Sequence, residues 1–504
     1  MNFANVTDWT IPQGNVIKVT DTNNTRVIWS KSKAEEDYNE RLQEEIANAD
    51  KTTPSGMGGL IIKNISNETA EVTFTTRLGS LFNSYTSDTH TLTLKKNDLT
   101  TQTLTFSNET RSIVVSLPAG HCLSATGYTN PQHSAASYVG NQPYVQAKCS
   151  KHYVLIGGGS TVRLPFTCST DENLIDASSM SWTISISDIY YDVNQKGSYS
   201  SLFIGCRSLV YPPSLYYTSS WVNQYTYTSC FENCVNLIQT MPNPVKVPSG
   251  PYSTYFCSRM YFGCVMLRNA DNAVVFQVGN YNNHYADTTV QKSSGMGQEG
   301  RGCCASMFAS CIRLRSAKFS LPWAQAITYY YVSAFQSSWS ARDMYNNMFA
   351  DCRKLKEPPK LERVYVQSGT SIGGGGGINS SWVGKFGVGN YRNIFYKCYN
   401  LQKIILVVST SDPIRWAVPA DEYADRGNTY SPNWYISGED TATRNWLTIG
   451  ANPYYGLDDE EIQDNQTGTI YYYADYGREP INAGNGNQGY LPSGWTLTLG
   501  GWYE

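Results

Sequence analysis

One short pattern, repeated six times between residues 202 and 401, constrains this chain more than any other feature. Each copy, here called a module, has an aromatic residue, a cysteine three positions later and a leucine three positions after that. In chain order, modules 1 to 6 are Phe203/Cys206/Leu209, Phe231/Cys234/Leu237, Tyr261/Cys264/Leu267, Phe308/Cys311/Leu314, Phe349/Cys352/Leu355 and Phe395/Cys398/Leu401. Because one such unit cannot bury its apolar face alone, the recurrence predicts that the modules stack on one another.

The composition favours a mainly β chain made of several units. A length of 504 residues exceeds what one compact core accommodates. The 41 glycines, 38 tyrosines and charged fraction of 16% indicate strands and long polar loops rather than helical bundles. The formal net charge of -3 gives no basic footprint for nucleic acid, and no apolar run approaches the roughly 18 residues of a membrane helix. We therefore expect neither nucleic-acid binding nor membrane insertion.

The N-terminal residues and the cysteines indicate the cellular compartment in which the chain is made. Residues 1–8 lack the basic and apolar regions of a signal peptide, so we expect synthesis in a cytoplasm. Six of the 13 cysteines occupy equivalent module positions, which is typical of small buried hydrophobic residues. We expect these thiols to be reduced.

Residues 1–30 form a leader that predicts two short strands around a turn at residues 22–24. Since the pair has no core of its own, it would be stable by adding to another protein's surface or sheet, as a docking peptide. The alternative is an ordinary hairpin packed on its own chain. The docking hypothesis depends on Ile11, Pro12, Val16, Val19, Ile28 and Trp29.

A helix and then a β domain are predicted after the leader. Over residues 31–52, Ser32 and Glu35 fit a capping box. One apolar stripe follows: Tyr38, Leu42, Ile46 and Ala49. Such a stripe is typical of a helix laid on its own domain, with subunit contact as the alternative. Residues 56–195 predict a β-sandwich-like domain with strands at 60–65, 70–76, 89–94, 103–107, 112–117, 153–156, 161–166 and 182–189.

The module region spans residues 196–410, and residues 411–504 predict a C-terminal β cap for its exposed end. The module cysteines lie 28 to 47 residues apart. If each module adds one strand to a ladder, the extra residues of the longer gaps must leave the ladder as loops. A further strand is predicted at 404–408, and residues 489–497 predict a turn that leads into a closing strand.

The modules resemble the BspA-like leucine-rich repeats, through Met-Phe-x-x-Cys-x-x-Leu followed by proline-containing segments such as residues 355–361. Those repeats occur on bacterial surface proteins and in tailed phages of gut Bacteroidales, crAss-like phages among them. The leader resembles the N-terminal segment of virion-attached proteins of the same phages, and residues 492–496 are similar to the closing motif of their fibres. The resemblance implies a leucine-rich-repeat-type solenoid on a virion, although the long insertions depart from the most regular members.

Aromatic residues in polar surroundings are the candidate receptor-binding residues. Tyrosine mixed with serine, glycine and asparagine is typical of adaptable binding loops, and planar rings suit the faces of sugars. The candidates are Tyr216, Tyr217, Trp221, Tyr225, Tyr227, Tyr281, Tyr285, Tyr330 and Trp339. The alternative is that these side chains pack loops onto the stack or lie between subunits.

No motif for catalysis or for a metal stands out. The five histidines are scattered, and the pairs Cys230/Cys234 and Cys303/Cys304 each lack the second half-site of a zinc motif. The acidic run at 458–461 is more typical of a solvated loop than of a calcium site, and the glycine runs lack a phosphate-loop lysine. We expect no cofactor, no metal and no enzymatic activity.

Together these observations favour a non-enzymatic tail or head fibre component on the virion surface. Its N-terminus would bind other virion proteins, and its modules would meet a glycan or protein receptor on the bacterial surface. A homo-oligomer is expected. The alternative is a purely structural virion protein whose modules pack against other subunits, and a polysaccharide depolymerase is a third hypothesis, which would need paired carboxylates in a groove.

Overall fold

The chain is mainly β, with one helix near its N-terminus and several sheets. The computed structural model describes residues 6–10, 16–21, 25–76, 90–107, 109–129, 145–161, 164–184, 199–217, 225–247, 255–276, 302–322, 345–362, 394–408, 468–474 and 495–499. Within these ranges, no helix combines the length and the apolar character needed to cross a membrane. The domain boundaries given above stay predictions.

The leader contains three strands, which precede the helix. They are β1 (Val6–Thr10), β2 (Val16–Asp21) and β3 (Thr25–Ser30), and they form an antiparallel sheet in that order. The predicted hairpin is therefore confirmed as β2 and β3, whereas β1 was not predicted. Helix α1 (Lys31–Asn48) follows directly. It begins one residue before Ser32, so the residue predicted to cap the helix lies in its first turn.

Two sheets make up the region between the helix and the modules. Its strands are β4 (Gly59–Asn64), β5 (Ala70–Thr76), β6 (His90–Lys96), β7 (Thr101–Phe106), β8 (Ser112–Leu117), β9 (Cys122–Thr129), β10 (Val145–Cys149), β11 (Tyr153–Thr161) and β12 (Leu174–Ile184). One sheet has the order β10-β5-β8. The other continues into module 1 through β13 (Ser214–Tyr217), in the order β13-β12-β11-β4-β9-β6-β7. β9 and β10 were not predicted, and the strand expected at 161–166 is absent from the described residues 164–166.

Strand β11 shows how side-chain alternation separates two cores. Tyr153 and Leu155 join the large apolar core that runs from the two sheets into the modules. Val154 belongs instead to a smaller cluster with Leu42 and Ile46 of helix α1. Since burying one such aliphatic side chain stabilises by about 1.5–3 kcal/mol, the helix is held on this face by its apolar stripe, as predicted.

Beyond β12 the strands are parallel, with one strand in each module. They are β13 in module 1, β14 (Val245–Val247), β15 (Val274–Phe276), β16 (Ser320–Pro322), β17 (Lys360–Glu362) and β18 (Lys403–Val408). Strands β16, β17 and β18 pair in parallel, and β19 (Gly468–Ala474) and β20 (Trp495–Leu499) extend the same sheet. β18 and β20 match the two strands predicted near the C-terminal end, whereas β19 was not predicted.

Consecutive modules touch through the groups that the repeated pattern supplies. Their aromatic rings stack with centroids 5.4 to 5.9 Å apart in all five module pairs. Each of the first five aromatic N–H groups donates to the carbonyl of the residue before the next aromatic, at 2.8 to 3.0 Å. In modules 2 to 6, the cysteine Sγ donates to the carbonyl of the preceding module's aromatic residue, at 3.0 to 3.2 Å. The contacts predicted between neighbouring modules are therefore present.

A left-handed residue before each module cysteine gives the modules a common turn. These residues are Gly205, Asn233, Gly263, Ser310, Asp351 and Lys397, with φ between 59° and 71°. Only two are glycine, so the turn is imposed by the stack and not by local preference alone. At Gly263 glycine is also needed for space, because a Cβ there would lie 2.5 Å from Asn233 Oδ1.

Candidate functional site

An exposed row crosses the strands of modules 1 to 3. The middle residues of β13, β14 and β15 point outward, whereas Leu215 and Val274 beside them are buried. These outward residues are Tyr216, Lys246 and Val275, here called the outer row. Tyr216 is 42% exposed and Val275 is 49% exposed, which makes them two of the large hydrophobic residues most open to solvent in the described chain. Lys246 and Val275 are register partners on the parallel strands β14 and β15, and Tyr216 is the exposed residue of β13, whose next residue Tyr217 is bonded to β14.

Tyr217, next to the outer row, is a positioning residue. Its phenol O–H donates to the carbonyl of Lys246 at 2.5 Å, which ties β13 to β14. Its ring packs edge-on against Phe256 at 5.8 Å. Burial raises the pKa of Tyr217 to about 12, so the phenol stays protonated and keeps donating at neutral pH. Tyr217 therefore holds the strands that carry Tyr216 and Lys246.

Tyr227, one of the predicted receptor-binding residues, is a core residue. Its ring is 1% exposed and stacks on Tyr199 at 5.2 Å. Its O–H donates to the carbonyl of Leu215 at 3.2 Å. An external ligand therefore cannot reach this ring, and the hypothesis for Tyr227 is corrected. The sequence did carry a signal, because buried tyrosines recur seven positions before the module cysteines, at Tyr199, Tyr227 and Tyr345.

Tyr225 pairs with a tyrosine that the sequence argument did not select. Both Tyr225 and Tyr255 are half-buried, and their rings stack at 5.4 Å with 14° between planes. Each lies nine positions before a module cysteine and has a left-handed φ. The equivalent residue of module 4 is Gly302, where a Cβ would overlap the ring of Tyr255. The pair therefore covers the point where modules 2 and 3 begin.

Five of the predicted receptor-binding residues lie in the segments between the modules, in gaps of different length. Trp221, Tyr281, Tyr285, Tyr330 and Trp339 fall in these gaps and lie outside the described residues. Ile11 and Pro12 also lie outside them. Val16 and Val19 lie on β2, and Ile28 and Trp29 lie on β3.

Three cysteines form a cluster inside modules 3 and 4. The Sγ atoms of Cys257, Cys303 and Cys304 all lie within 4.8 Å of one another, and all three residues are fully buried. The Sγ atoms of Cys257 and Cys304 are 3.0 Å apart. The sequence argument found no partner for Cys303/Cys304, because Cys257 precedes Cys304 by 47 residues and is brought near only by the stacking. None of the 13 cysteines is in a disulfide.

A seventh unit, here called the cap unit, precedes module 1. Cys168, Asp171 and Leu174 take the places of aromatic, cysteine and leucine. Thr170 has the left-handed φ of 58° that marks the residue before a module cysteine. Its N–H donates to the carbonyl of Ile204 at 2.6 Å, as Gly205 donates to the next module at 2.7 Å. The Sγ of Cys206 donates to the Cys168 carbonyl at 2.9 Å, which repeats the bond between modules.

Asp171, at the cysteine position of the cap unit, is a buried carboxylate. It accepts from the Tyr153 O–H at 2.9 Å, from the Cys149 N–H at 2.9 Å and from the Asn173 N–H at 2.8 Å. Burial raises the pKa of Asp171 above the ordinary value of 3.8, although these three donors oppose the shift. The carboxylate is satisfied by donors from β10, from β11 and from the turn at Asn173, so its role is structural.

Helix α1 lies across the cap unit and modules 1 to 4. Near its N-terminal end, Glu36 pairs with Arg313 of module 4. Further along, Asn39 Nδ2 donates to the Asn236 carbonyl of module 2 at 2.7 Å. Just past the helix, Lys51 pairs with the buried carboxylate of Asp176 at 2.6 Å. The helix thus ties the N-terminal leader to most of the stack.

The outer row offers a ring, a cation and an apolar group, which can pack on and pair with a ligand. Comparisons with protein-family models, with curated proteins and with solved structures give no match.

Proposed function

We propose that this chain is a non-enzymatic component of a phage virion appendage, a tail or head fibre part that attaches to a host cell surface. In this proposal the cap unit and the six modules form one solenoid of the BspA-like leucine-rich-repeat type. The observation that carries it is the unbroken register of the stack: ring stacking and the same backbone hydrogen bond occur in all five module pairs. A rigid stack of this kind suits the display of surface residues and loops.

The N-terminal end supports the attachment part of the proposal. The leader sheet leads into helix α1 without a linker, since β3 ends at Ser30 and the helix begins at Lys31. The helix in turn is bonded to modules 1, 2 and 4 and buries Leu42 and Ile46. A leader docked on other virion proteins would therefore hold the modules in a fixed direction, because no flexible segment separates the two.

The outer row supports the receptor part. Aromatic and aliphatic faces pack against the apolar faces of sugar rings, and an ammonium pairs with the carboxylates of acidic polysaccharides. Lys246 and Val275 offer an ammonium and an aliphatic group on the paired strands β14 and β15, and Tyr216 offers its ring on β13, which Tyr217 links to β14. We expect an acidic surface glycan as the ligand class, with a protein receptor as the other outcome of a binding test.

Binding of the full chain to an array of bacterial surface glycans tests this proposal. The double variant Tyr216→Ser/Val275→Ser should lose at least tenfold in affinity for the glycan that the wild type selects. The matched control is Val114→Ser, which alters an apolar residue that is 55% exposed on β8, far along the chain from the outer row. Equal loss in both variants, or no glycan binding by the wild type, would contradict the receptor role.

Two further readouts separate the other hypotheses. Oxidative footprinting of assembled particles reports whether Tyr216 is protected relative to the free chain. Protection would favour the purely structural virion protein, in which the outer row faces another subunit. Release of reducing sugar from a bound polysaccharide would favour the depolymerase.

A further inference from the structure

The residue seven positions before each module cysteine is a tyrosine in some modules and a cysteine in two modules in the middle of the stack. Modules 1, 2 and 5 have buried tyrosines there, at Tyr199, Tyr227 and Tyr345. Modules 3 and 4 have Cys257 and Cys304 instead. Because the modules are in register, these two cysteines face each other across neighbouring modules. The backbone agrees, since the Cys257 N–H donates to the carbonyl of Cys303 at 2.9 Å.

We propose that Cys257 and Cys304 are a built oxidation site that forms a disulfide between modules 3 and 4. Their Sγ atoms are 3.0 Å apart, closer than two unbonded sulfurs normally approach, and they belong to adjacent parallel segments. Disulfides need Cα atoms about 4.4–6.8 Å apart, and neighbouring strands lie about 4.8 Å apart. The two side chains therefore need little backbone movement to join. This inference does not depend on the proposed function.

The oxidant that we assign is a small neutral peroxide, with hydrogen peroxide as the probe. While the stack is locally open, one thiol loses its proton and its thiolate attacks an oxygen of the peroxide to become a sulfenic acid. The departing hydroxide takes up that proton and leaves as the first water. The second thiol then attacks that sulfur, the S–S bond forms, and the sulfenic oxygen leaves as the second water. Two thiols and one peroxide thus give one disulfide and two waters, with two electrons passing to the peroxide. Both sulfurs are buried, so a small oxidant reaches them during local opening of the stack.

A disulfide fits this cluster better than a bound metal does. A metal would need all three thiols to lose their protons, against the raised pKa that burial gives Cys257 and Cys304, whereas oxidation needs only one thiolate, formed while the stack is locally open. Three thiolates around one ion would leave net negative charge in an apolar core, whereas a disulfide is uncharged. The Sγ of Cys303 is 3.9 Å from that of Cys304. In this proposal Cys303 stays a thiol beside the disulfide.

Peptide mapping of the full chain tests the proposal. The protein is reduced, freed of reductant, treated with hydrogen peroxide, alkylated and digested without reduction. We expect one cross-linked peptide that joins Cys257 to Cys304, and an unfolding midpoint in urea that rises on oxidation and returns with reductant. Cys303→Ser should keep the cross-link. Cys257→Ser should lose both the cross-link and the shift of the midpoint.

The matched control is Cys264→Ser, which also removes a buried thiol but one that donates to the Phe231 carbonyl. It should keep the Cys257 to Cys304 cross-link. If a variant does not fold, the mapping of the oxidised wild type alone decides. Thiols that stay free after oxidation, or a cross-link through Cys303, would overturn the proposal. So would a purified protein that carries one equivalent of zinc or copper and resists oxidation until a chelator removes the metal.

Discussion

The middle of the stack and its N-terminal end use one backbone pattern with different side chains. Between modules 2 and 3, the Cys264 thiol donates to a carbonyl at 3.2 Å and aromatic rings stack at 5.4 Å. In the cap unit the aromatic position is Cys168, and the cysteine position is Asp171, which accepts three hydrogen bonds. The left-handed turn residue and its bond to the next unit are the same in both places.

The difference follows from what each unit meets. An inner module lies between two copies of the same surface, where a small apolar residue with one weak donor is sufficient. The cap unit meets β10 and β11 instead, and the Cys149 N–H and the Tyr153 O–H there need an acceptor. A carboxylate supplies it. In this molecule every unit shares the backbone turn, whereas the residue at the cysteine position depends on the groups that pack against that unit.

The largest expected effect is the loss of a ring in the middle of the stack. Phe308→Ala removes a buried ring that stacks on both Tyr261 and Phe349, and it should lower the free energy of unfolding by about 3–5 kcal/mol. Phe203→Ala should cost about 1 kcal/mol less, because among the described residues Phe203 stacks on one ring, that of Phe231, and not on two. Urea unfolding measures both. Equal costs would mean that ring stacking adds nothing beyond burial.

Next in size is the loss of the acceptor in the cap unit. Asp171→Ala leaves two buried donors, the Cys149 N–H and the Tyr153 O–H, without partners, and should cost about 2–4 kcal/mol. The inner counterpart, Cys264→Ala, removes one buried atom and should cost about 1 kcal/mol. If the two costs were alike in urea unfolding, the cap unit would be an ordinary module.

The stability that Asp171 contributes to the cap unit should depend on pH. Because the folded state holds the Asp171 proton more tightly than the unfolded state, the stability from this group is complete below about pH 3.8 and is lost as the pH rises through the raised folded pKa. A tenfold difference in proton affinity corresponds to about 1.4 kcal/mol. The unfolding midpoint of the wild type, measured relative to that of Asp171→Asn, should therefore fall as the pH rises through this window. A constant difference between them would contradict the raised pKa.

The smallest effect concerns the helix that connects the end of the stack to its middle. A double-mutant cycle of Glu36→Gln and Arg313→Gln should give a coupling of about 1 kcal/mol. Glu36 is 39% exposed, so solvent screens the pair and the coupling should fall in high salt. No coupling at low salt would mean that this ion pair does not help to hold the helix on the stack.

The repeated part of the fold could be predicted because its signal is local. Aromatic, cysteine and leucine recur at fixed offsets, so the contacts between modules follow from the pattern. The cap unit was missed because Cys168 and Asp171 match neither the aromatic nor the cysteine of that pattern. Tyr227 was misassigned because its polar neighbours were weighed, while its fixed offset from Cys234 was not.

Strand pairing outside the modules could not be predicted, for a physical reason. β4 pairs with β9 and β11, which lie far along the chain, and the choice between such partners is made by packing of both faces and not by local sequence. The same holds for the thiol cluster and for the outer row. Residues that are distant in sequence meet there only because the modules are in register.

The ion pair between helix α1 and module 4 joins two parts of the chain that are translated at different times. Leu42 and Ile46 leave the ribosome early, but Arg313, which binds Glu36, is made some 270 residues later. At translation rates of about 5–20 residues per second, the helix waits roughly 15–50 s for its last partner. Its apolar stripe stays only partly covered until Ile238, the last of its described apolar partners in the chain, has been made, so shorter nascent chains are open to premature association with one another. A chaperone that shields this helix during translation should raise the yield of folded protein.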